Sequence, residues 1–229
     1  MLVVSNLDLA KNVQAISPAK FLESQSKGFT LNLDNDYRYL KTGYYVSMHA
    51  EILDNPVIPT SKNIIDANRT PILLLKAQKA GIPTLPNLTT GSVKQILEET
   101  EFPLVLFAVN PFMYDGYKIA KNKSALYRAV KSLGMNYKFA VCVQPLVGEM
   151  ISFKSIFGKC TQDEALRRIS EKAYEVFKIP ICKLHVQRTE KETYLCGLQP
   201  LHREEILPYD VNVICEQVSE MSKTVTAVG

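Results

Sequence analysis

The residues best able to bind a metal or act as nucleophiles are five cysteines and three histidines, and their spacing limits the chemistry open to them. No CxxC pair occurs, and the histidines lie far apart in the sequence. A zinc site or a Cys–His nucleophile needs such groups brought together, so the spacing supports neither. We therefore expect buried, reduced thiols in a cytosolic protein. The residues are Cys142, Cys160, Cys182, Cys196, Cys215, His49, His185 and His202.

A second group of polar side chains lies nearer the N-terminus. Tyr44, Tyr45, Ser47 and His49 are close in sequence, with Arg38 nearby, and they could line a small polar pocket. In the alternative, the tyrosine rings belong to the core and their hydroxyl groups reach water. The histidine by itself is more typical of a structural residue than of a catalytic one.

The basic residues are scattered, and their densest group is short: Lys118, Lys121 and Lys123. The chain has 27 Lys and Arg against 23 Asp and Glu, a net charge of +4. Such mild basicity helps an anionic ligand to approach, but it does not indicate nucleic-acid binding. A nucleic-acid or ribosome-associated protein is permitted by the composition and favoured by nothing in it.

Hydrophobicity predicts the location of the protein. No apolar run reaches the length of about 20 residues that crosses a membrane. The N-terminal segment MLVVSNLDLAKN has neither the charged lead nor the small-residue cleavage site of a signal peptide. We expect a soluble, cytoplasmic protein that makes no use of a membrane.

Strand and helix patterns interleave along the whole chain, which predicts an α/β (α+β) protein. The apolar run at 103–109 predicts an interior strand, and residues 123–133 predict a helix with one apolar face. Further helices are predicted at 17–22, 37–53, 70–81 (with Thr70 as the cap), 92–99, 162–177 and 211–221, and further strands at 2–4, 29–33, 56–60, 117–121, 139–146, 150–157, 181–188 and 193–200.

A polar stretch, SKNIIDANRT, separates two patterned blocks and predicts a boundary near residues 66–70. We expect a small α/β domain at 1–68 and a second domain at 69–229, built of antiparallel sheets with flanking helices. The last predicted helix has a modest apolar face that could pack against a second chain, in a homo-oligomer or with another protein. The apolar residues of that helix are Val211, Val213, Ile214, Val218 and Met221.

Two stretches carry a family resemblance. Residues 32–60 contain the run GYYVS, then Ala-Glu, then Val-Ile-Pro, and they resemble the N-terminal domain that precedes the ATP-grasp module in some RimK-like proteins. Residues 73–86, LLLKAQKAGIPTLP, are similar to a helix and loop of ATP-grasp ligases, and PLVL, GYKI and QPLVGE follow in the family's order. The resemblance implies a RimK-like N-terminal domain followed by a shortened, degenerate ATP-grasp module.

The resemblance also exposes missing chemistry. An ATP-grasp ligase activates a carboxylate as an acyl phosphate for attack by an amine, so cations must meet the triphosphate. The family has a lysine where this chain has Phe107. It also has a glycine-rich loop where this chain has residues 110–116, which contain a single glycine. The family's Mg²⁺-binding Glu-x-Asn-Pro corresponds here to Gly197–Pro200, and Lys183 or His185 falls near a further acidic ligand. We expect neither catalytic residues nor metal ligands, and we do not expect magnesium.

Four residues could still hold ATP, according to the resemblance. Gln144 and Leu146 belong to the segment that reads adenine through its backbone, and Glu149 lies where a ribose-contacting carboxylate can sit. Lys118 flanks the phosphate loop. The alternative to nucleotide binding is that these residues are an ordinary strand end, a turn glutamate and a solvated lysine.

Two functions stay open. The first is a non-catalytic, ATP-grasp-derived binding or accessory protein, with an intact ATP-grasp ligase as a candidate partner. The second is an ATP-dependent carboxylate–amine ligase that adds an amino acid and uses a diverged site. The second rests on family likeness alone.

Overall fold

A computed structural model describes residues 1–9, 13–110 and 116–228, with side chains as far as residue 223. The strands are β1 (Leu2–Ser5), β2 (Ala15–Ile16), β3 (Thr30–Leu33), β4 (Val57–Ile58), β5 (Leu88–Thr90), β6 (Leu104–Ala108), β7 (Tyr117–Ala120), β8 (Val141–Pro145), β9 (Glu149–Ile156), β10 (Ile181–Arg188) and β11 (Thr193–Gln199). The α-helices are α1 (Pro18–Leu22), α2 (Thr42–Ile52), α3 (Ser61–Ala67), α4 (Thr70–Lys79), α5 (Val93–Glu99), α6 (Lys123–Leu133), α7 (Glu164–Phe177) and α8 (Pro208–Val228). The predicted mixture of strands and helices is confirmed.

The N-terminal sheet is parallel and has the strand order β2-β1-β3-β4. Parallel sheets need apolar cover on both faces. One face packs on α1 and α2, where Val4 meets Phe21 and Val46. Leu31 and Leu33 turn towards the largest core of the chain, which reaches into the C-terminal half.

Two antiparallel sheets make up the rest of the fold, with the strand orders β11-β10-β9 and β5-β8-β6-β7. The first packs one face on α7, where Leu184 and Phe153 meet Phe177. The second packs one face on α5 and α6, through residues such as Leu106 and Leu126. The two remaining faces look at each other and enclose a cleft.

The spacing of apolar residues predicts that helix α2 begins at Tyr37, but the helix begins at Thr42. The Tyr37 hydroxyl donates to the Asn32 carbonyl at 2.9 Å, which ties this residue back to β3. Leu40 has a left-handed φ of 66° and is 47% exposed, so it cannot continue a helix. Local tethers therefore override the helical spacing.

The polar stretch predicted as a boundary contains helix α3. The Thr60 hydroxyl accepts from the Asn63 amide at 3.1 Å and caps that helix. Arg69, rather than Thr70, is the N-cap residue of α4. The domain boundary near residue 68 stays a prediction.

Helix α8 is longer than predicted, and most of its apolar face is covered within the chain. Ile214 and Val218 are 0% and 4% exposed and join the largest core. Packing with a second chain through this face stays a prediction. Among the described residues no helix has the length and apolar character that a membrane span requires.

Candidate functional site

The cleft between the two antiparallel sheets is the candidate site. On one wall, the register places Ser152 and Gly197 on either side of His185. On the other wall, Gln144 projects from β8, and its side-chain nitrogen donates to the Cys196 carbonyl at 2.9 Å. This bond ties the two sheets together.

Phe107 lies on β6, where the resemblance implies a phosphate-binding lysine. The ring is 2% exposed and lies against Gly197. A Cβ at Gly197 would lie 2.6 Å from Phe107 Cε1, which is too close for any side chain without movement. A ring from the opposite sheet therefore fills the place where the resemblance implies a magnesium-binding glutamate.

Three rings of the described residues lie together in this part of the cleft. The centroid of Phe107 lies 5.8 Å from that of Tyr117 and 6.0 Å from that of His185, and Tyr117 meets His185 edge-on at 5.3 Å. Burial, with a smaller effect of the Lys183 ammonium, lowers the pKa of His185 to about 4. The imidazole is therefore neutral at pH 7 and contributes no charge to balance a phosphate.

His185 is held through one ring nitrogen. Nδ1 lies 2.7 Å from Ser152 Oγ. Nε2 and Gln199 Oε1 are buried without a well-aligned partner in the described part of the chain, and both face Gly116. If the serine hydroxyl donates to Nδ1, Nε2 carries the proton and faces a carbonyl acceptor, which is the arrangement that best suits both groups.

An open cavity of about 480 Å³ adjoins this pair. Its described lining has two lysines and no carboxyl group. Lys183 forms an ion pair with Glu205, whereas Lys118 has no ion-pair partner among the described residues. The cavity is thus suited to an anion rather than to a cation. The lining residues are Gly116, Tyr117, Lys118, Ser152, Lys183, His185 and Gln199.

The predicted nucleotide-binding residues occupy two separate places. Gln144 and Leu146 lie at the end of β8, and Glu149 is exposed at the start of β9. Lys118 lies on β7, on the far side of β6 from β8. Lys118 pairs in register with Leu106, which lies on the face of the sheet that α6 covers. The lysine side chain nevertheless also lines the open cavity.

The segment predicted to read adenine already has internal partners. The Leu146 amide donates to the Pro103 carbonyl at 2.9 Å. The buried Gln187 side chain accepts from the Val147 amide at 2.8 Å and donates to the Pro145 carbonyl at 2.9 Å. An adenine bound through these amides would have to replace those bonds. Nucleotide binding by this segment stays a prediction.

The described residues of the cleft do not fit magnesium. Magnesium takes oxygen ligands, chiefly carboxylates, in octahedral geometry. At the place that the resemblance gives to the metal, the side chains are those of Lys183, His185 and Gln199, with Gly197 offering none. Nowhere in the described ranges do three or more His, Cys, Asp or Glu residues come together to hold a metal ion.

The predicted phosphate loop is only partly described. Residues 111–115 lie outside the described residues. At its start, Asn110 is buried and its side-chain nitrogen donates to the Leu133 carbonyl at 2.7 Å. The position of this asparagine is therefore set by the end of α6.

The polar group on α2 is dispersed over different faces of the helix. Ser47 is fully buried and donates to the Pro59 carbonyl at 2.6 Å, whereas Tyr45 is 44% exposed. His49 Nε2 lies 2.9 Å from the Ser24 carbonyl and its ring packs on Phe21. These contacts support the structural alternative over a shared pocket.

The cysteines behave as core residues. Cys142, Cys182, Cys196 and Cys215 are buried, and Cys160 is half-buried. Burial raises the pKa of the thiols of Cys142, Cys182 and Cys196 to about 12. These three are therefore not thiolate nucleophiles at neutral pH.

A buried carboxyl group that sequence analysis missed lies at the ends of β1 and β3. Asp34 is 2% exposed, and burial raises its pKa to about 6. Beside it, the Asn35 side-chain nitrogen donates to Leu201 O at 2.9 Å, and that of Asn6 donates to Asn35 Oδ1 at 2.8 Å. These two bonds leave Asn6 Oδ1 and Asp34 Oδ2 as buried acceptors without a partner in the described residues. The sequence signal that could have indicated this carboxyl group is the occurrence of polar residues directly after two apolar strands.

Comparison with known proteins decides the family. Residues 18–214 match the family described as RimK-like ATPgrasp N-terminal domain. The chain belongs to this family. The match runs across residues 68 and 69, so it does not mark a boundary there. No curated protein matches the sequence.

Solved ATP-grasp structures share the fold of this RimK-like chain. A D-alanine–D-alanine ligase from Bacillus anthracis has a TM-score of 0.68 at 15% identity, over 99% of this chain and 97% of that chain. A RimK domain protein ATP-grasp from Sphaerobacter thermophilus has 0.60 at 14%, over 93% and 94%. An L-amino acid ligase from Bacillus licheniformis has 0.51 at 15%, over 69% and 46%. Identities this low establish the ATP-grasp-like fold, as predicted, and not the reaction.

Proposed function

We propose that this RimK-like protein is a non-catalytic, ATP-grasp-derived binding protein that acts as an accessory partner of an intact ATP-grasp ligase. The observation that carries the proposal is the contact between Phe107 and Gly197. Phe107 is an apolar ring at a position where the family resemblance implies a cation. Gly197 has no side chain at a position where the resemblance implies a carboxylate. Loss of one preorganised electrostatic group slows a reaction by about 10²–10³.

The charge of the neighbouring groups supports the same proposal. His185 is neutral at pH 7, and Lys183 is paired with Glu205. Phosphoryl transfer depends on cations that neutralise charge developing on phosphate oxygens. The described cleft offers Lys118 as its remaining unpaired cation, at the rim of the cavity.

A carboxylate–amine ligase with a diverged site is the second candidate. The cavity favours it, because two lysines and no carboxyl group from the described part of the chain line a space of about 480 Å³. In that case an anionic substrate group would meet Lys118 and Lys183. Gln144, Leu146 and Glu149 would then hold the nucleotide.

The test is a thermal-shift and calorimetric titration with ATP, with and without Mg²⁺. A ligand that binds the native state stabilises it by about 2.7 kcal/mol at a hundredfold excess over Kd. We expect no magnesium-dependent shift and no ADP release with amino acids as substrates. A magnesium-dependent shift with ADP release would establish the ligase instead.

Variants separate nucleotide binding from ligase activity. Glu149→Gln and Lys118→Gln change predicted contacts, and Lys79→Gln is an exposed control in α4. If ATP stabilises the protein without magnesium, the first two changes should weaken the shift and the control should not. Such a result would support a nucleotide-binding protein that lacks catalysis.

A further inference from the structure

The unit from β7 through α6 to β8 carries ionic charge of a single sign. Residues 116–148 contain six Lys or Arg and no Asp or Glu. The rest of the chain has 21 Lys or Arg against 23 Asp or Glu, so the net positive charge of the protein is concentrated here. The six cations are Lys118, Lys121, Lys123, Arg128, Lys131 and Lys138.

Within the described ranges, no acidic residue pairs with these cations. None of them forms an ion pair with a described residue, although ion pairs occur in many other parts of the fold. Among the described residues Arg128 has a neutral partner, the Ser124 hydroxyl, which accepts from its guanidinium at 3.0 Å. On the adjacent helix α5, Glu98 pairs with Lys94 and Glu99 accepts from a glutamine side chain. The positive field of the unit is therefore left open to solvent.

Helix α6 presents cations and an aromatic ring on its solvent face. It buries Leu126 and Val130 in the core below. Lys123, Tyr127 and Lys131 follow one another at four-residue spacing, so they form a single stripe, and all three are exposed. A tyrosine that is 44% exposed thus lies between two cations.

The turn after α6 adds a second exposed ring. Met135, Asn136 and Tyr137 have left-handed φ values of 50°, 56° and 63°, a conformation unfavourable for non-glycine residues. The turn is held by backbone bonds, including one of 2.7 Å from the Asn136 amide to the Lys131 carbonyl. Tyr137 is 46% exposed, and its hydroxyl lies 3.5 Å from the Tyr127 carbonyl. Backbone strain of this kind is often retained for function.

We propose that the exposed face of α6 and its following turn binds single-stranded nucleic acid. Lys123, Arg128 and Lys131 would neutralise phosphates, and the rings of Tyr127 and Tyr137 would stack on unpaired bases. Interleaved cations and exposed aromatic rings are typical of proteins that bind single strands. An acidic polypeptide would gain from the charge but has no bases to stack on the rings. The net charge of +4 for the whole chain does not reveal this local concentration of positive charge.

The test is fluorescence anisotropy with labelled oligouridylate and oligothymidylate of about 12 nucleotides. The two probes share phosphates and unpaired pyrimidines and differ in the sugar and in the thymine methyl group; an oligodeoxyuridylate of the same length isolates the effect of the sugar and so distinguishes RNA from DNA as the ligand. We expect binding at about 50 mM salt that weakens at about 200 mM, with a log–log slope near −0.7 for each phosphate contacted.

Two sets of variants assign the contacts. Lys123→Gln, Arg128→Gln and Lys131→Gln together should weaken binding at least tenfold and reduce the slope by about 2. The matched control removes three exposed lysines elsewhere, by Lys20→Gln, Lys41→Gln and Lys79→Gln. The control should change affinity by less than about twofold, because it lies away from the proposed face.

Ring variants distinguish nucleic acid from other polyanions. Tyr127→Ala and Tyr137→Asn, the latter suited to left-handed backbone, should each weaken oligonucleotide binding about fivefold or more without changing the slope. Poly-glutamate serves as a competitor with charge but no bases. Absence of binding at low salt, equal losses in the two lysine sets, or poly-glutamate binding as tight as the oligonucleotide and insensitive to both rings would each overturn the proposal.

Discussion

Phe107 and Gly197 face each other across the cleft, and the ring of the first occupies the volume that a side chain at the second would need. The two residues lie on different sheets and are 90 positions apart in the sequence. Their contact joins the sheets through apolar packing at a point where the family resemblance implies a cation and a carboxylate. The departures from the family pattern at these two positions are therefore coupled by shape.

The first prediction concerns this contact. Gly197→Ala should destabilise the protein by about 1–3 kcal/mol, because its Cβ would press on the Phe107 ring. Phe107→Leu in the same chain should recover part of the loss, giving a coupling energy of about 1 kcal/mol in urea unfolding. Gly91→Ala is the control, since the nearest atom to its Cβ is 3.8 Å away. Additive losses would show that the ring and the glycine do not compete for space.

The second prediction concerns Asp34. Its folded pKa is raised from 3.8 to about 6, so its stabilising contribution is complete below the unfolded value and is lost as pH rises through 6. Asp34→Asn removes this loss, because the amide carries no charge at any pH in this range. We expect the variant to be about 1–3 kcal/mol more stable than the wild type at pH 8.

The measurement for Asp34 is urea unfolding between pH 4 and pH 8. Asp8→Asn, at a 98% exposed side chain paired with Arg203, should change stability by less than about 1 kcal/mol. An Asp34→Asn protein less stable than the wild type at pH 8 would mean that the carboxylate is ionised and well solvated in the native state.

The third prediction concerns His185, whose effect on the free energy of unfolding changes with pH in the opposite direction to that of Asp34. Its folded pKa is lowered from 6.5 to about 4, so its contribution is present above the unfolded value and is lost as pH falls towards 4. The full effect is about 3 kcal/mol. His185→Gln should be less stable at pH 7, because ring packing is lost, yet its stability should fall less steeply with acid.

Asp34 and His185 titrate over nearly the same pH range with opposing effects. We therefore expect the wild type to show little net slope from this pair between about pH 4 and 6. Asp34→Asn should then reveal the acid sensitivity due to His185, and His185→Gln should reveal the acid stabilisation due to Asp34. Parallel pH profiles for the two variants would contradict this opposition.

The fourth prediction concerns Gln187, which is fully buried and holds the turn between β8 and β9. Gln187→Leu keeps the apolar volume and leaves the Val147 amide and the Pro145 carbonyl without partners. We expect a loss of about 2–4 kcal/mol in the free energy of unfolding, measured by urea titration. Gln78→Leu, at an exposed position on α4, should be nearly neutral. A small loss at Gln187 would mean that water reaches this turn.

Elements with strong apolar periodicity were predictable from the sequence. Helix α6 and strand β6 lie within one or two residues of their predicted positions, because their own side chains form the buried face. Helix α3 was not predicted, since its buried surface is small and its first three residues, Ser61 to Asn63, are all polar or charged. The start of α2 was misplaced because a tyrosine hydroxyl tethers the chain to β3.

The candidate site was only partly predictable. Family resemblance pointed to Phe107, Gly197 and His185 one at a time, because each stands in a recognisable motif. Nothing in the sequence indicated that Ser152 would meet the imidazole, or that Gln187 would satisfy the turn after β8. Such contacts join residues far apart in the chain, and local pattern carries no information on them.

By itself, the amino-acid sequence determined the fold class and the order of most elements, because these follow from side-chain type and local spacing, whereas the departures from the family's charged positions are what the family resemblance implies. Tertiary structure alone decided which of these positions face one another, which polar atoms are buried, and where the excess positive charge lies exposed. The physical reason is that pKa shifts, ring packing and uncompensated charge depend on distances between strands and helices. Those distances are set by packing of the whole chain.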